Sequence, residues 1–135
     1  HLAPQTPTLL DLGSGAGFPG LPIALLSPQI QVTLAESQNK KATFLREVVR
    51  SLGLNTEVWA NRAESLPAGR RFHTVTLRAV DNMAAAVAAA ELRATHRLLV
   101  LTSAAAAPAL PDFPAQGRIA VPESEGRILL VADRS

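Results

Sequence analysis

The stretch Thr8-Leu9-Leu10-Asp11-Leu12-Gly13-Ser14-Gly15-Ala16-Gly17-Phe18-Pro19-Gly20 decides the fold. An apolar run of strand length ends at Asp11-Leu12-Gly13, and four glycines, Gly13, Gly15, Gly17 and Gly20, then crowd the chain. The pattern predicts a buried strand over Thr8 to Leu12 followed by a glycine-rich turn. From Pro19 to Leu26 the apolar residues resume, and they stop at Ser27-Pro28. A short helix starting near the prolines is expected there, with Pro22 tolerated in its first turn.

Downstream, strand and helix signals alternate. Gln31 to Ala35 reads as a second strand with Glu36 at its C-terminal end. Ala42, Leu45, Val49 and Leu52 recur at helical spacing, with Asn39 placed to cap the start and Gly53 to stop the end. Thr56 to Ala60 and Phe72 to Leu77 read as strands three and four, separated by the irregular stretch Asn61 to Arg71. Asp81 or Asn82 opens an alanine-rich helix carrying Met83, Val87 and Ala90 on one side, and Arg97 to Leu101 is a fifth strand. Ser103 to Pro114 mixes alanines with prolines and has room only for a short or broken helix. Arg118 to Val121 and Arg127 to Ala132 close the chain as two strands at hairpin-like spacing. The alternation predicts an α/β fold: a mostly parallel sheet of seven strands, covered by helices on both faces, with one antiparallel strand at an edge.

Composition bounds the chemistry. A length of 135 residues suits one domain, and 47% hydrophobic with only 4% aromatic residues makes the core mainly aliphatic. There is no cysteine, so disulfides, thiolate metal sites and cysteine nucleophiles are excluded and a cytoplasmic setting is unopposed. His1, His73 and His96 have no metal-ligand spacing, so no metal is expected. No apolar run reaches the roughly 20 residues needed to cross a bilayer, and a soluble protein with no membrane partner is expected. The formal charge is only +2, but arginines outnumber lysines, which leaves nucleic acid open as a partner.

The glycine-rich turn lies at the C-terminal edge of the predicted sheet, where open α/β sheets bind ligands. Glycines let a ligand approach the backbone without meeting a Cβ, and exposed amides favour an anionic group. Gly15-Ala16-Gly17-Phe18-Pro19-Gly20 also satisfies the dinucleotide spacing G-x-G-x-x-G, so an NAD-binding oxidoreductase domain is one reading. Asp11 before the first glycine and Glu36 at the next strand end sharpen the site, since a carboxylate there can accept both hydroxyls of a ribose.

From Asp11 to Pro22 the chain resembles the signature of the glucose-inhibited division protein B family, the small-subunit ribosomal RNA guanine-N7 methyltransferases. Glu36-Ser37-Gln38-Asn39-Lys40-Lys41 through Phe44-Leu45, then Asn61-Arg62-Ala63-Glu64, then Leu77-Arg78-Ala79-Val80 agree with it in order and spacing. The resemblance implies a Rossmann-like class I methyltransferase fold over residues 1–135, with the family's N-terminal helical segment absent. S-adenosylmethionine is the implied cofactor. Gly13 and Phe18 would border its methionine part, Glu36 would hold its ribose, Ala63 and Glu64 would sit against its adenine, and Asp11, Gly15, Gly17 and Ser37 would be further cofactor-binding positions. Arg78 would belong to the cofactor and substrate pocket, with a positioning role in catalysis. The implied partner is 16S ribosomal RNA or a small ribosomal subunit particle, the protein acting as a monomer.

Guanine N7 has an in-plane lone pair and no proton, so such an enzyme needs no general base before attack. Lys40, Lys41, Arg46, Arg50, Arg70 and Arg71 are candidates for phosphate contacts. One departure stands out: the family has lysine and glycine after the fifth strand, where this chain reads Leu101-Thr102-Ser103. That keeps a second reading open, a non-catalytic S-adenosylmethionine-binding or RNA-assembly module.

Overall fold

The computed structural model describes residues 7–12, 24–27, 29–62, 65–78, 83–103, 109–120 and 127–134. Their strands are β1 (Thr8–Leu12), β2 (Gln31–Ala35), β3 (Glu57–Trp59), β4 (Phe72–Arg78), β5 (Ala94–Ser103), β6 (Ala115–Ala120) and β7 (Arg127–Asp133). Two helices, α1 (Asn39–Leu52) and α2 (Met83–Arg93), complete the labelled elements. The strands form one sheet in the order β3-β2-β1-β4-β5-β7-β6. All pairings from β3 through β5 are parallel, and β7 runs antiparallel to both β5 and β6 at the far edge. The expected mostly parallel sheet with antiparallel pairing at one edge is what the chain forms.

Alternation along the strands divides the core between two faces. Leu9, Val32 and Leu34 pack with Ala24 and with Leu45 of α1, whereas Leu10, Val75, Leu77, Leu98 and Val100 pack with Val87 and Ala90 of α2. Neighbours such as Leu9 and Leu10 fall in different clusters because successive strand side chains point to opposite faces. Helices therefore cover both faces of the sheet, as the strand patterns require. Leu10, Leu34, Val75, Leu98 and Val100 are fully buried, and each such side chain stabilises the fold by about 1.5–3 kcal/mol of transfer free energy.

Local signals place most boundaries within a residue or two, and the differences have physical causes. Gly53 adopts φ 65° and ends α1, its N–H donating to the Arg50 carbonyl while Leu54 donates to Val49. This is a Schellman stop, which favours glycine because the left-handed conformation crowds a Cβ. At the other end the cap position falls on Gln38, and Asn39 is the first helical residue; Gln38 makes no side-chain capping bond. The Glu36 carboxylate accepts the Gln38 N–H instead, so the three-residue connection from β2 uses the strand-end acid where the sequence points to Asn39.

Strand β5 starts at Ala94, immediately after α2, and not at Arg97. Ala94 pairs with Phe72, and the Arg93 guanidinium donates to the carbonyls of Leu66, Pro67 and Arg70, which pins the helix end against the loop before β4. Strand β6 starts at Ala115, three residues before the expected Arg118, because pairing with β7 recruits Ala115-Gln116-Gly117 despite their weak strand preference. Between β5 and β6 the described residues 109–114 form a turn, not a helix, that buries Leu110 and Phe113. Of the short helix expected over Pro19 to Leu26, residues 24–26 are helical and the rest lies outside the described residues. Asp81, Asn82 and Val121 also lie outside them.

Candidate functional site

Outward from β1 the sheet runs through β2 and β3 on one side and through β4 and β5 on the other. The strand order reverses between β1 and β4, and ligands of open α/β sheets bind in the crevice beyond the C-terminal strand ends at such a reversal. Asp11, Glu36, Arg78 and Thr102 all lie at or within a residue or two of those C-terminal ends.

Asp11 is 1% exposed and sits beside Thr76 in the β1–β4 register. The Thr76 hydroxyl donates to Asp11 Oδ1 at 2.8 Å, tying the two strands together at the reversal. Thr76 carries no local signal: it is an ordinary strand residue until parallel pairing sets it against an acid 65 positions earlier. Sequence reasoning missed it for that reason.

Glu36 follows the last residue of β2 and is 5% exposed. Its backbone N–H donates to the Trp59 carbonyl at 3.0 Å, which locks it to β3. Its Oε2 accepts the Gln38 N–H at 2.9 Å. A buried carboxylate held by backbone at a strand end is pre-oriented to accept hydroxyl donors. With β1 lying between β2 and β4, Glu36 and the last residue of β4 are separated by two strand spacings, about 10 Å across the sheet.

Arg78 ends β4 opposite Leu101 and is exposed. Ser37 is also exposed. Gly13, Gly15, Gly17, Phe18, Ala63 and Glu64 lie outside the described residues. Beside Glu36, the Trp59 ring is half-buried against the core. Its Nε1–H donates to the Arg62 carbonyl and to the Ser65 hydroxyl, at 3.0 and 3.2 Å, which braces the loop after β3.

The histidines are elsewhere. His73 and His96 stack with ring centroids 4.5 Å apart near the N-terminal ends of β4 and β5, the end of the sheet away from Glu36. Burial, then the neighbouring His96 and Arg97, push the His73 pKa below its ordinary value, with Asp133 opposing. Among the described residues no group of three or more His, Cys, Asp or Glu is arranged to hold a metal ion. No helix of the described residues is long and apolar enough to cross a membrane.

Residues 1–107 match the family described as GidB, rRNA small subunit methyltransferase G. The chain belongs to that family. It is 51% identical over 81 residues to the ribosomal RNA small subunit methyltransferase G of Stenotrophomonas maltophilia, a stretch covering 59% of this chain and 38% of that protein. The chain thus matches about two-fifths of the length of such a relative.

The sheet and helices of this rRNA small subunit methyltransferase G family member also superpose on solved methyltransferases. A putative methyltransferase from Escherichia coli aligns with TM-score 0.72 and 18% identity, over 98% of this chain and 81% of that one. Coclaurine N-methyltransferase bound to N-methylheliamine and SAH aligns with TM-score 0.63 and 17% identity, over 72% of this chain and 31% of that one. The fold is the Rossmann-like class I methyltransferase fold. Within it Leu101-Thr102-Ser103 forms the end of β5 itself, and Thr102 is 4% exposed with a hydroxyl that has no hydrogen-bond partner among the described residues.

Proposed function

We propose that this chain is the cofactor-binding core of an enzyme that transfers a methyl group from S-adenosylmethionine to N7 of a guanine in 16S ribosomal RNA. The observation that carries the reading is the buried Glu36 carboxylate at the end of β2, one strand from the reversal at β1 and β4, in a chain of the rRNA small subunit methyltransferase G family. The residues present fit the cofactor. Glu36, with one oxygen on the Gln38 amide, offers acceptors for the ribose hydroxyls. Asp11, tied to Thr76, stands at the end of β1, and Gly13 to Gly17, which follow it in sequence, would border the cofactor. Ala63 and Glu64 follow β3 and would flank the adenine, and Ser37 lies beside the ribose carboxylate in sequence.

When bound, S-adenosylmethionine would supply an electrophilic methyl group for the guanine N7 lone pair, with its sulfur as the leaving group. N7 carries no proton, so the chain has to orient and shield the reactants and needs no base. Holding both in line accounts for roughly 7 kcal/mol or more of barrier reduction. Arg78, exposed at the end of β4, would hold the substrate side by hydrogen bonds and charge.

One observation favours the alternative of a non-catalytic S-adenosylmethionine-binding or RNA-assembly module: Thr102 stands where the resemblance expects a lysine, so that cationic charge is missing. Calorimetric titration with S-adenosylmethionine and separately with NAD tests the cofactor half. Binding of S-adenosylmethionine alone supports the reading, binding of NAD alone would replace it with an oxidoreductase domain, and binding of neither removes the site assignment. Transfer of a labelled methyl group to 16S RNA or to small-subunit particles then separates the enzyme from the module.

A further inference from the structure

The six cations that the sequence offers to RNA phosphates are not equivalent in the folded chain. Arg50 is ion-paired to Glu47, Arg70 to Glu57, and the Arg71 guanidinium donates to the Leu92 carbonyl at 3.1 Å. Lys40, Lys41 and Arg46 are exposed, and among the described residues they form no ion pair. Lys40 and Lys41 stand in the first turn of α1, which holds no acidic residue to neutralise them.

Phe44 is on the same side. It lies four residues after Lys40 and three after Lys41, spacings that make neighbours on a helix surface. Its side chain is 54% exposed, while Ala42 and Leu45 take the buried side of α1. In a chain with 4% aromatic residues, the helix surface sets this open ring beside two ammonium groups that form no ion pair among the described residues. The ring matches the flat face of an unstacked base and the ammonium groups match the phosphates on either side of it. The α1 helix begins three residues after Glu36, so this surface adjoins the edge of the sheet that holds the candidate cofactor site.

We infer that Lys40, Lys41 and Phe44 form a contact surface for a single-stranded segment of the RNA substrate, the ring stacking on a base and the lysines meeting its phosphates. The inference rests on the RNA reading of the function and adds the surface that meets the strand. Arg46, nearly half a turn further round α1, adds to the positive potential of the same helix.

The test is fluorescence anisotropy with a labelled single-stranded, guanine-containing RNA oligonucleotide over a series of salt concentrations. Lys40→Gln with Lys41→Gln is expected to lower the slope of log affinity against log salt by about 1.4, the contribution of two phosphate contacts on a single strand. Phe44→Ala is expected to weaken binding by roughly 5- to 100-fold, and Phe44→Trp to restore it. Arg118→Ala, on the opposite edge strand β6, should change affinity little. Calorimetry with S-adenosylmethionine runs alongside and reports on fold and cofactor site in every variant. Equal losses from Arg118→Ala and the double lysine variant would overturn the inference in favour of diffuse attraction. Unchanged affinity in Phe44→Leu would do so in favour of an apolar protein-docking face. If the unaltered chain binds S-adenosylmethionine but no RNA, the surface assignment fails while the cofactor reading stands; if it binds neither, the function reading fails first.

Discussion

Replacing Thr76 by valine isolates the contact that joins β1 to β4 at the strand-order reversal. The change keeps side-chain shape and removes the hydroxyl that donates to Asp11 Oδ1 at 2.8 Å. Both residues are 1% exposed, so water cannot replace the lost donor. A hydrogen bond to a buried carboxylate is worth about 1.5–3 kcal/mol. For a chain of this size 1 kcal/mol corresponds to about 4 °C in Tm, so Thr76→Val should lower Tm by about 6–12 °C. Thr33→Val is the matched control. Its hydroxyl is buried, but its bonds are long, donating to Glu57 at 3.3 Å and accepting from Arg70 at 3.4 Å, and both partners are partly exposed, so the expected cost is under about 1 kcal/mol. Urea unfolding measures both, and Thr76→Ser should recover most of the loss by restoring the donor. Because Asp11 lies at the C-terminal end of β1, beside the proposed cofactor crevice, Thr76→Val should also weaken S-adenosylmethionine binding more than Thr33→Val does. Equal stability and equal cofactor affinity in the two valine variants would refute the reasoning.

Four further outcomes are expected. Glu36→Gln should weaken S-adenosylmethionine binding by about 10- to 100-fold in calorimetry, since an amide replaces one charge-assisted acceptor worth about 1.5–3 kcal/mol. Arg78→Ala should reduce methyl transfer more than stability, because the residue is exposed at the end of β4; a lowered Tm with normal specific activity would argue for a structural role. Gly53→Ala should destabilise the chain by about 1 kcal/mol in urea unfolding, because φ is 65° while an added Cβ meets nothing within 4 Å, so the cost is conformational alone. The His73 pKa lies below its ordinary 6.5 in the folded chain, chiefly through burial. The unfolded chain therefore binds this proton more readily, and His73 contributes stability that is present above about pH 6.5 and is lost as pH falls through the folded pKa. His73→Gln should flatten that acid limb in a pH series of unfolding curves.

The position of Glu36 was legible before folding because it is written in local pattern, a strand that ends in an acid. The Gly13 to Gly20 cluster is marked by its density of glycines after an apolar run and lies outside the described residues. Phe44 and the pairing of the arginines were not legible. Helical spacing puts Lys40, Phe44, Glu47 and Arg50 on neighbouring positions, but which cations find partners depends on geometry: Arg50 turns to Glu47, and Arg70 reaches Glu57 across 13 residues.

By itself the sequence determined the succession of strands and helices, the Gly53 stop of α1 and the acid at the end of β2. Each depends on side-chain period or on one residue's backbone preference, which neighbours in the chain decide. Only the tertiary structure decided that Thr76 holds Asp11, that β5 begins at Ala94, that Ala115-Gln116-Gly117 join β6, and that Arg50, Arg70 and Arg71 are engaged while Lys40 and Lys41 face solvent. These depend on strand register and packing between residues distant in sequence. Pairing fixes the register only when the apolar faces of the whole sheet are buried together.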